Sequence, residues 1–189
     1  MKRMNDIFDR SFEEFLSRDW SLVLSGTEER NLCGRLAACI EKMKDEVGLY
    51  DYWADTDYRY MKGRRVKTIL YGEERVVEIG CDIILHSRGF FDRDKLIAIE
   101  MKSLLRPEQA RELSRERLMT MTMVPNEEVR SADDLTLPEH VCGYELGVFI
   151  ELEALRDQYR IEKFKEGRSI SVSYGELSGI GRAFLKLTP

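Results

Sequence analysis

The sequence predicts an α/β protein in which helices cover a central sheet. Three features support this fold class: two apolar runs suited to buried strands, an amphipathic helical stripe before them, and a long charged helix after them. Helices that alternate with apolar strands pack in layers around one core. The 189 residues can bury such a core and contain no repeat or Pro/Gly/Ser linker, so we expect a single domain over residues 1–189.

Two helices are predicted near the N-terminus. The first, over residues 6–18, has apolar residues Ile7, Phe8, Phe12, Phe15 and Leu16. The residues from Ser25 to Glu28 have the form of a capping box, which predicts that a second helix begins there. The apolar stripe of this second helix consists of Leu32, Leu36, Ile40, Met43 and Val47. Gly48 is expected to end it.

The middle of the chain is predicted to supply the sheet. Residues 53–60 and 66–71 have alternating or β-branched character and are expected to be strands. The central strands are predicted from Glu74 to Leu85 and from Leu96 to Met101, with the polar turn SRGFFDRDK between them.

The C-terminal part is predicted to alternate between helix and strand. After Pro107, the stretch EQARELSRERLMTM predicts a charged helix. Four arginines of this region are expected on an ordinary helix surface with ion pairs: Arg106, Arg111, Arg115 and Arg117. We expect a buried strand at residues 143–150 and a helix at residues 152–159. Residues 169–187 are expected to add one more strand and a short helix.

The composition limits the function and the compartment. A net charge of −5 argues against a surface coated in nucleic acid, but it leaves room for a local basic groove. The densest basic cluster contains Lys62, Arg64 and Arg65, which would contact phosphate or form a solvated loop. No signal peptide and no apolar run near the roughly 20 residues of a membrane span are evident, so a cytoplasmic protein is expected. Its four cysteines form no CxxC pair, which favours reduced structural thiols over a zinc site.

The two central strands carry charged residues at positions where a sheet needs apolar ones. Asp82 precedes three apolar residues, and Glu100 and Lys102 point to the same side of the other strand because side chains alternate. A buried carboxylate needs a cationic partner or a metal ion. Two acids on neighbouring strands suit Mg²⁺, for which Mn²⁺ can substitute. Alternatively, these residues are a strand-end acid and an ordinary Glu–Lys pair at a solvent edge.

The pattern Asp82, seventeen residues, Glu100-x-Lys102 resembles the signature of the PD-(D/E)xK nuclease superfamily. The segment EERNLCGRLAACIE is similar to the leading helix of these domains, and ADTDYRYMKGRRVK to their first strand. The segments RERLMTMT and GYELGVFIEL resemble the helix and the strand that follow the signature. The resemblance covers roughly residues 27–152, with Cys81 standing where the family usually has proline.

The resemblance implies a restriction endonuclease-like three-layer sandwich, with a central mixed β-sheet flanked by helices. It also implies a metal held by Asp82, Glu100 and the Met101 carbonyl, and a stabilising role for Lys102. The family's leading helix often supplies one more glutamate. At about 100° per residue, Glu29 lies only about 20° from the centre of the apolar stripe, against about 80° for Glu28. Glu29 is therefore the expected site residue, and Glu28 the capping acid.

The sequence thus predicts a Mg²⁺-dependent nuclease, with DNA favoured over RNA as the substrate and no membrane partner. Two alternatives stay open. One is a binding module that keeps the fold without turnover and acts as an anti-defence or immunity factor. The other is a phosphodiesterase on a small nucleotide signal. A homodimer is also left open, because many small relatives dimerise to cut both strands.

Overall fold

The computed structural model describes residues 2–58, 65–70, 73–78, 80–124, 130–131 and 142–178. The helices are α1 (Lys2–Leu24), α2 (Glu29–Glu46) and α3 (Glu108–Thr122), with a short 3₁₀ turn at Ala154–Arg156. The strands are β1 (Trp53–Tyr58), β2 (Arg65–Leu70), β3 (Glu73–Glu78), β4 (Cys81–His86), β5 (Lys95–Ser103), β6 (Arg130–Ser131), β7 (Leu146–Glu153), β8 (Gln158–Lys165) and β9 (Arg168–Glu176). This element order confirms the α/β class.

Six strands form the main sheet, in the order β1-β4-β5-β7-β8-β9. All neighbours are antiparallel except β5 and β7, which are parallel and are connected through α3. The other three strands form a small antiparallel sheet in the order β3-β2-β6. The main sheet is therefore mixed, with one parallel pair among antiparallel ones.

Helices cover both faces of the main sheet, and its central strands are therefore apolar on both sides. Ile83 and Ile99, which lie opposite each other on β4 and β5, belong to the core under α1 and α2. Their neighbours Ile84 and Ala98 also lie opposite each other, but they belong to a second core with Leu118 of α3. The alternation of side chains thus gives three layers, with α1 and α2 on one face and α3 on the other.

The small sheet extends the second core. Leu70 of β2 and Val77 of β3 are buried in the same cluster as Leu118 and Met121 of α3. The segment from Glu74 to Leu85 was predicted to be one strand, and this prediction was wrong. It forms β3 and β4 in two different sheets, and Gly80 lies in the break between them.

One further prediction was wrong, and one confirmed helix has wider bounds than predicted. Residues 152–159 do not form an α-helix, because β7 continues to Glu153, only Ala154–Arg156 form a short 3₁₀ turn, and Leu155 is 86% exposed. A left-handed Asp157 then turns the chain into β8. The first helix is also longer than residues 6–18, since Met4 and Val23 extend its buried face at both ends.

The predicted capping box is absent. Helix α2 begins at Glu29 and has Glu28 as its N-cap residue, without a hydrogen bond from that side chain. Ser25 instead donates its hydroxyl to the Leu22 carbonyl at the end of α1. The capping role assigned to Glu28 was therefore wrong.

Several predictions lie wholly or partly outside the described residues, namely those for residues 59–60, 71 and 179–187. The four cysteines are free thiols, and all of them are buried. No described helix has the length and apolarity needed to cross a membrane.

Candidate functional site

Asp82, Glu100 and Lys102 come together on the main sheet. Ile83 of β4 lies opposite Ile99 of β5, so the residues next to them, Asp82 and Glu100, are brought side by side. The Lys102 ammonium donates to Asp82 Oδ2 at 2.7 Å and lies 3.2 Å from Glu100 Oε2. The expected convergence of these three side chains is therefore present in the geometry.

The backbone at Met101 takes part in the same cluster. Lys102 Nζ also donates to the Met101 carbonyl at 3.1 Å, and the Met101 amide donates to Asp82 Oδ2 at 2.8 Å. Three oxygens, from Asp82, Glu100 and Met101, thus lie within 3.2 Å of one ammonium nitrogen. They are the same three residues that the resemblance assigned to a metal ion.

Glu100 is the most deeply buried member of the cluster, with no exposed surface. Its second oxygen, Oε1, accepts a hydrogen bond from Arg117 of α3, and Ser114 of α3 donates to Oε2 at 2.9 Å. Arg117 is held in turn by the Glu78 carbonyl at 2.9 Å. Helix α3 therefore holds Glu100 from the face opposite to α2.

Burial and charge act in opposite directions on this cluster. Burial raises the pKa of Glu100, and the Asp82 carboxylate adds to that effect, while Arg117 and Lys102 lower it without cancelling it. Burial alone would lower the pKa of Lys102, but Glu100 and Asp82 outweigh it, so this pKa lies well above its usual value. Lys102 is thus held as a charged ammonium, which suits electrostatic stabilisation and not proton abstraction.

Glu29 approaches from the first turn of α2. Its Oε1 accepts hydrogen bonds from the Ser103 amide at 3.0 Å and from Arg106 Nε at 2.9 Å. The side chain therefore faces the end of β5, as the helical periodicity predicted. Glu29 does not touch Asp82, Glu100 or Lys102 in any contact described for it.

A cleft of about 420 Å³ joins Glu29 to Asp82. Its lining residues are Glu28, Glu29, Arg30, Cys33, Thr56, Asp57, Asp82 and Arg106. Asp57 adopts a left-handed backbone conformation at φ 52°, which is uncommon outside glycine and often marks a functional site. Burial raises the pKa of the Cys33 thiol well above its usual value, so this cysteine lines the cleft as a neutral group.

The oxygen donors fit a hard divalent cation in kind, because carboxylates and a carbonyl are the ligands that Mg²⁺ prefers. The position that a cation would take between these three oxygens is, however, filled by the Lys102 ammonium. Among the residues that the structure describes, no group of three or more His, Cys, Asp and Glu is arranged to hold a metal. A cation bound by Asp82 and Glu100 therefore requires Lys102 to turn aside.

The predicted phosphate-contacting side chains lie outside the described part of the chain. Lys62 and Arg64 lie outside the described residues, and of Arg65 only the backbone, at the start of β2, is described.

The expectation of an ordinary helix surface with ion pairs holds only in part. Arg111 pairs with Glu108 and Arg115 with Glu112 within α3, but all four arginines also bind other elements. Arg106 binds Glu29, Arg117 binds the buried Glu100, and both Arg111 and Arg115 bind Glu151 of β7. The sequence contained one signal for this arrangement: Ser114, Leu118 and Met121 share a helical stripe that faces the sheet, and Arg117 flanks it.

No family model matches the chain, and neither a curated protein nor a solved structure matches it.

Proposed function

We propose that the protein is a Mg²⁺-dependent nuclease that hydrolyses phosphodiester bonds, with DNA as the favoured substrate. The main support is the cluster in which oxygens of Asp82, Glu100 and Met101 lie within 3.2 Å of the Lys102 ammonium, beside a solvent-connected cleft. Two carboxylates and a lysine on adjacent strands match the residue types that metal-dependent phosphodiester hydrolysis requires.

The proposal includes the restriction endonuclease-like form of the α/β fold. Its support is the order of elements: a leading helix with Glu29, then β4 with Asp82, then β5 with Glu100 and Lys102. A helix and then a core strand follow, as the resemblance implies. The helix covers the other face of the sheet, and the strand pairs parallel with β5.

In this proposal the residues of the site have separate roles. Asp82, Glu100 and the Met101 carbonyl would hold the cation, which when bound supplies a water of lowered pKa and polarises the phosphate. The Lys102 ammonium stabilises negative charge that develops on the phosphate oxygens. Glu29, at the wall of the same cleft, positions the attacking water or completes the metal ligands.

The proposal predicts that the purified chain cleaves DNA when a divalent cation is supplied. Supercoiled plasmid, linear duplex and single-stranded oligonucleotides should be incubated with Mg²⁺ or Mn²⁺, followed on gels, and compared with matched RNA. We expect cleavage of DNA that EDTA abolishes and that excess Mg²⁺ restores. Cleavage that persists in EDTA, or intact DNA with every cation, would contradict the proposal.

A second candidate, the binding module without turnover, is favoured by the charge balance at Glu100. This carboxylate already accepts a hydrogen bond from Ser114 and forms ion pairs with Lys102 and Arg117. Its buried charge is therefore balanced without a metal ion. Calorimetric titration with Mn²⁺ distinguishes the two candidates. A nuclease should bind Mn²⁺ and lose that binding in Asp82→Asn, whereas a binding module should show no heat that depends on Asp82.

A further inference from the structure

Arg106 lies between β5 and α3 and lines the same cleft as Asp82. Its guanidinium donates from Nε to Glu29 Oε1 at 2.9 Å and from Nη2 to Glu29 Oε2 at 3.4 Å. Among the described residues, Glu29 is its one ion-pair partner, and the Arg106 side chain is 58% exposed. A guanidinium has five N–H donors, and these contacts use only two of them. The remaining donors are therefore available to a ligand.

Glu29 is anchored independently of Arg106. The Ser103 amide, at the end of β5, donates to Glu29 Oε1 at 3.0 Å, and Glu29 is the first residue of α2. The carboxylate therefore connects two rigid elements and fixes the orientation of the Arg106 guanidinium. A guanidinium that is oriented in advance loses less side-chain freedom when a ligand binds.

A second arginine lines the same cleft from α2. Arg30 directly follows Glu29, and its Nη2 lies 3.4 Å from Asp57 Oδ2. The Arg30 side chain is 82% exposed, and an ion pair this exposed stabilises little. An anion can therefore take the place of Asp57 as its partner. Two guanidinium groups from different elements thus line one cleft together with Asp82.

The charges of the cleft show which ligand fits. Four carboxylates line it, and three of them form ion pairs with Lys102, Arg30 or Arg106. The negative charge of the lining is thus largely balanced, so an anion can enter. A planar guanidinium matches the paired oxygens of a phosphate group, which can accept two parallel N–H bonds.

We propose that Arg106 and Arg30 bind phosphate groups of the substrate backbone in this cleft, and that Glu29 holds Arg106 in the required orientation. This role rests on the proposed nuclease function and names the residues that bind its substrate. Contacts to phosphate position a nucleic-acid strand without reading its bases. The two arginines therefore place the strand beside Asp82 whatever its sequence.

Steady-state cleavage of a fluorescein-labelled DNA oligonucleotide at constant Mg²⁺ tests the proposal. Arg106→Gln should raise KM about tenfold, the effect of losing a hydrogen bond to a charged group. It should change kcat by less than about threefold, because Glu29 keeps its hydrogen bond from Ser103. A merely structural role would not produce this separation of KM from kcat.

The salt dependence counts the phosphate contacts. In Arg106→Gln, the slope of log kcat/KM against log salt concentration should become shallower by about 0.7–0.9, which corresponds to one phosphate contact. Combining Arg30→Gln with Arg106→Gln should make it shallower by about twice as much. Arg106→Lys keeps the charge and loses the planar fork, so it should keep the slope and raise KM only about threefold.

Arg93→Gln is the matched control. Arg93 also binds one carboxylate through Nε and Nη2, in this case Glu145, and its side chain is 50% exposed. It does not line the cleft. This variant should therefore leave KM, kcat and the salt slope unchanged.

The possible results separate this proposal from the nuclease function. A wild type that cleaves DNA, with KM and salt slope unchanged in Arg106→Gln, would overturn the role of Arg106 and leave the nuclease function in place. A loss confined to kcat would also overturn it. A double variant with the slope of Arg106→Gln would overturn the role of Arg30. A wild type that cleaves no DNA would overturn the nuclease function and this proposal with it.

Discussion

Replacing Lys102 with methionine is expected to reduce metal-dependent DNA cleavage by about 10³-fold while the protein stays folded. Loss of one positioned charge at a transition state typically has an effect of this size. The ammonium lies 2.7 Å from Asp82 Oδ2 and 3.2 Å from Glu100 Oε2, so no other side chain can take its place without rebuilding the cluster. Methionine keeps an unbranched apolar side chain and removes the ammonium with its charge and its hydrogen bonds.

Lys44 provides a matched control for this experiment. It is also a buried lysine with two acidic partners, Glu41 at 3.1 Å and Asp45 at 2.7 Å, but it lies on α2 and does not line the cleft. Lys44→Met should therefore alter stability in a similar way and leave cleavage unchanged. Gel assays of kcat/KM, with circular dichroism to check folding, make the comparison. Equal cleavage by the Lys102 variant would exclude the proposed site.

The largest stability effect is expected at Glu151, where the variant Glu151→Gln should lower the free energy of unfolding by about 3 kcal/mol. Its carboxylate is almost fully buried and accepts hydrogen bonds from Arg111 at 2.8 Å, Arg115 at 3.0 Å and Arg160 at 2.5 Å. Glutamine keeps the volume but removes the charge, which leaves Glu162 as the buried acid beside Arg115 and Arg160 and the exposed Glu108 beside Arg111. Urea denaturation measures the loss.

The same residue has a predictable pH dependence. Burial alone would raise the pKa of Glu151, but Arg111, Arg115 and Arg160 outweigh it and hold the pKa below its usual value. Because the pKa is lower in the folded chain, ionised Glu151 contributes stability above the unfolded value of about 4.3. That contribution is lost as the pH falls through the folded pKa.

Wild type should therefore lose more stability than Glu151→Gln between about pH 5 and pH 3. Glu112→Gln is the matched control, since Glu112 also pairs with Arg115 at 3.1 Å but its side chain is 44% exposed, against 3% for Glu151. It should change the free energy of unfolding by no more than about 1 kcal/mol. If Glu151→Gln is as stable as this control, the ion pairs of Arg111 and Arg115 with Glu151 do not stabilise the packing of α3 on the sheet.

The sequence predicted the parts of the site that depend on local periodicity. Alternation along β5 placed Glu100 and Lys102 on one side, and the apolar stripe of α2 pointed Glu29 towards the sheet. It also predicted that an acid on the neighbouring strand would join them. These inferences use only the repeat of one strand or helix and the adjacency of consecutive strands.

The sequence did not predict the contacts that join distant elements. Arg117 and Ser114 reach Glu100 because α3 crosses the sheet at one particular angle, which no local pattern encodes. The hairpin at Asp157 was missed because its left-handed residue is an aspartate and not a glycine, and because the apolar Leu155 beside it is exposed. The break at Gly80 was missed because the residues on both sides of it have strand character. The two strands differ only in their partners, since β3 pairs within the small sheet and β4 within the main sheet.

In the proposed site, Asp82, Glu100 and the Met101 carbonyl exchange the Lys102 ammonium for a divalent cation. A crystal soaked in Mn²⁺ and measured at the manganese absorption edge shows whether this exchange occurs. We expect one anomalous peak about 2.0–2.3 Å from oxygens of all three residues, with Lys102 turned aside. A peak elsewhere, or none at millimolar Mn²⁺ with Lys102 still bridging Asp82 and Glu100, would contradict it.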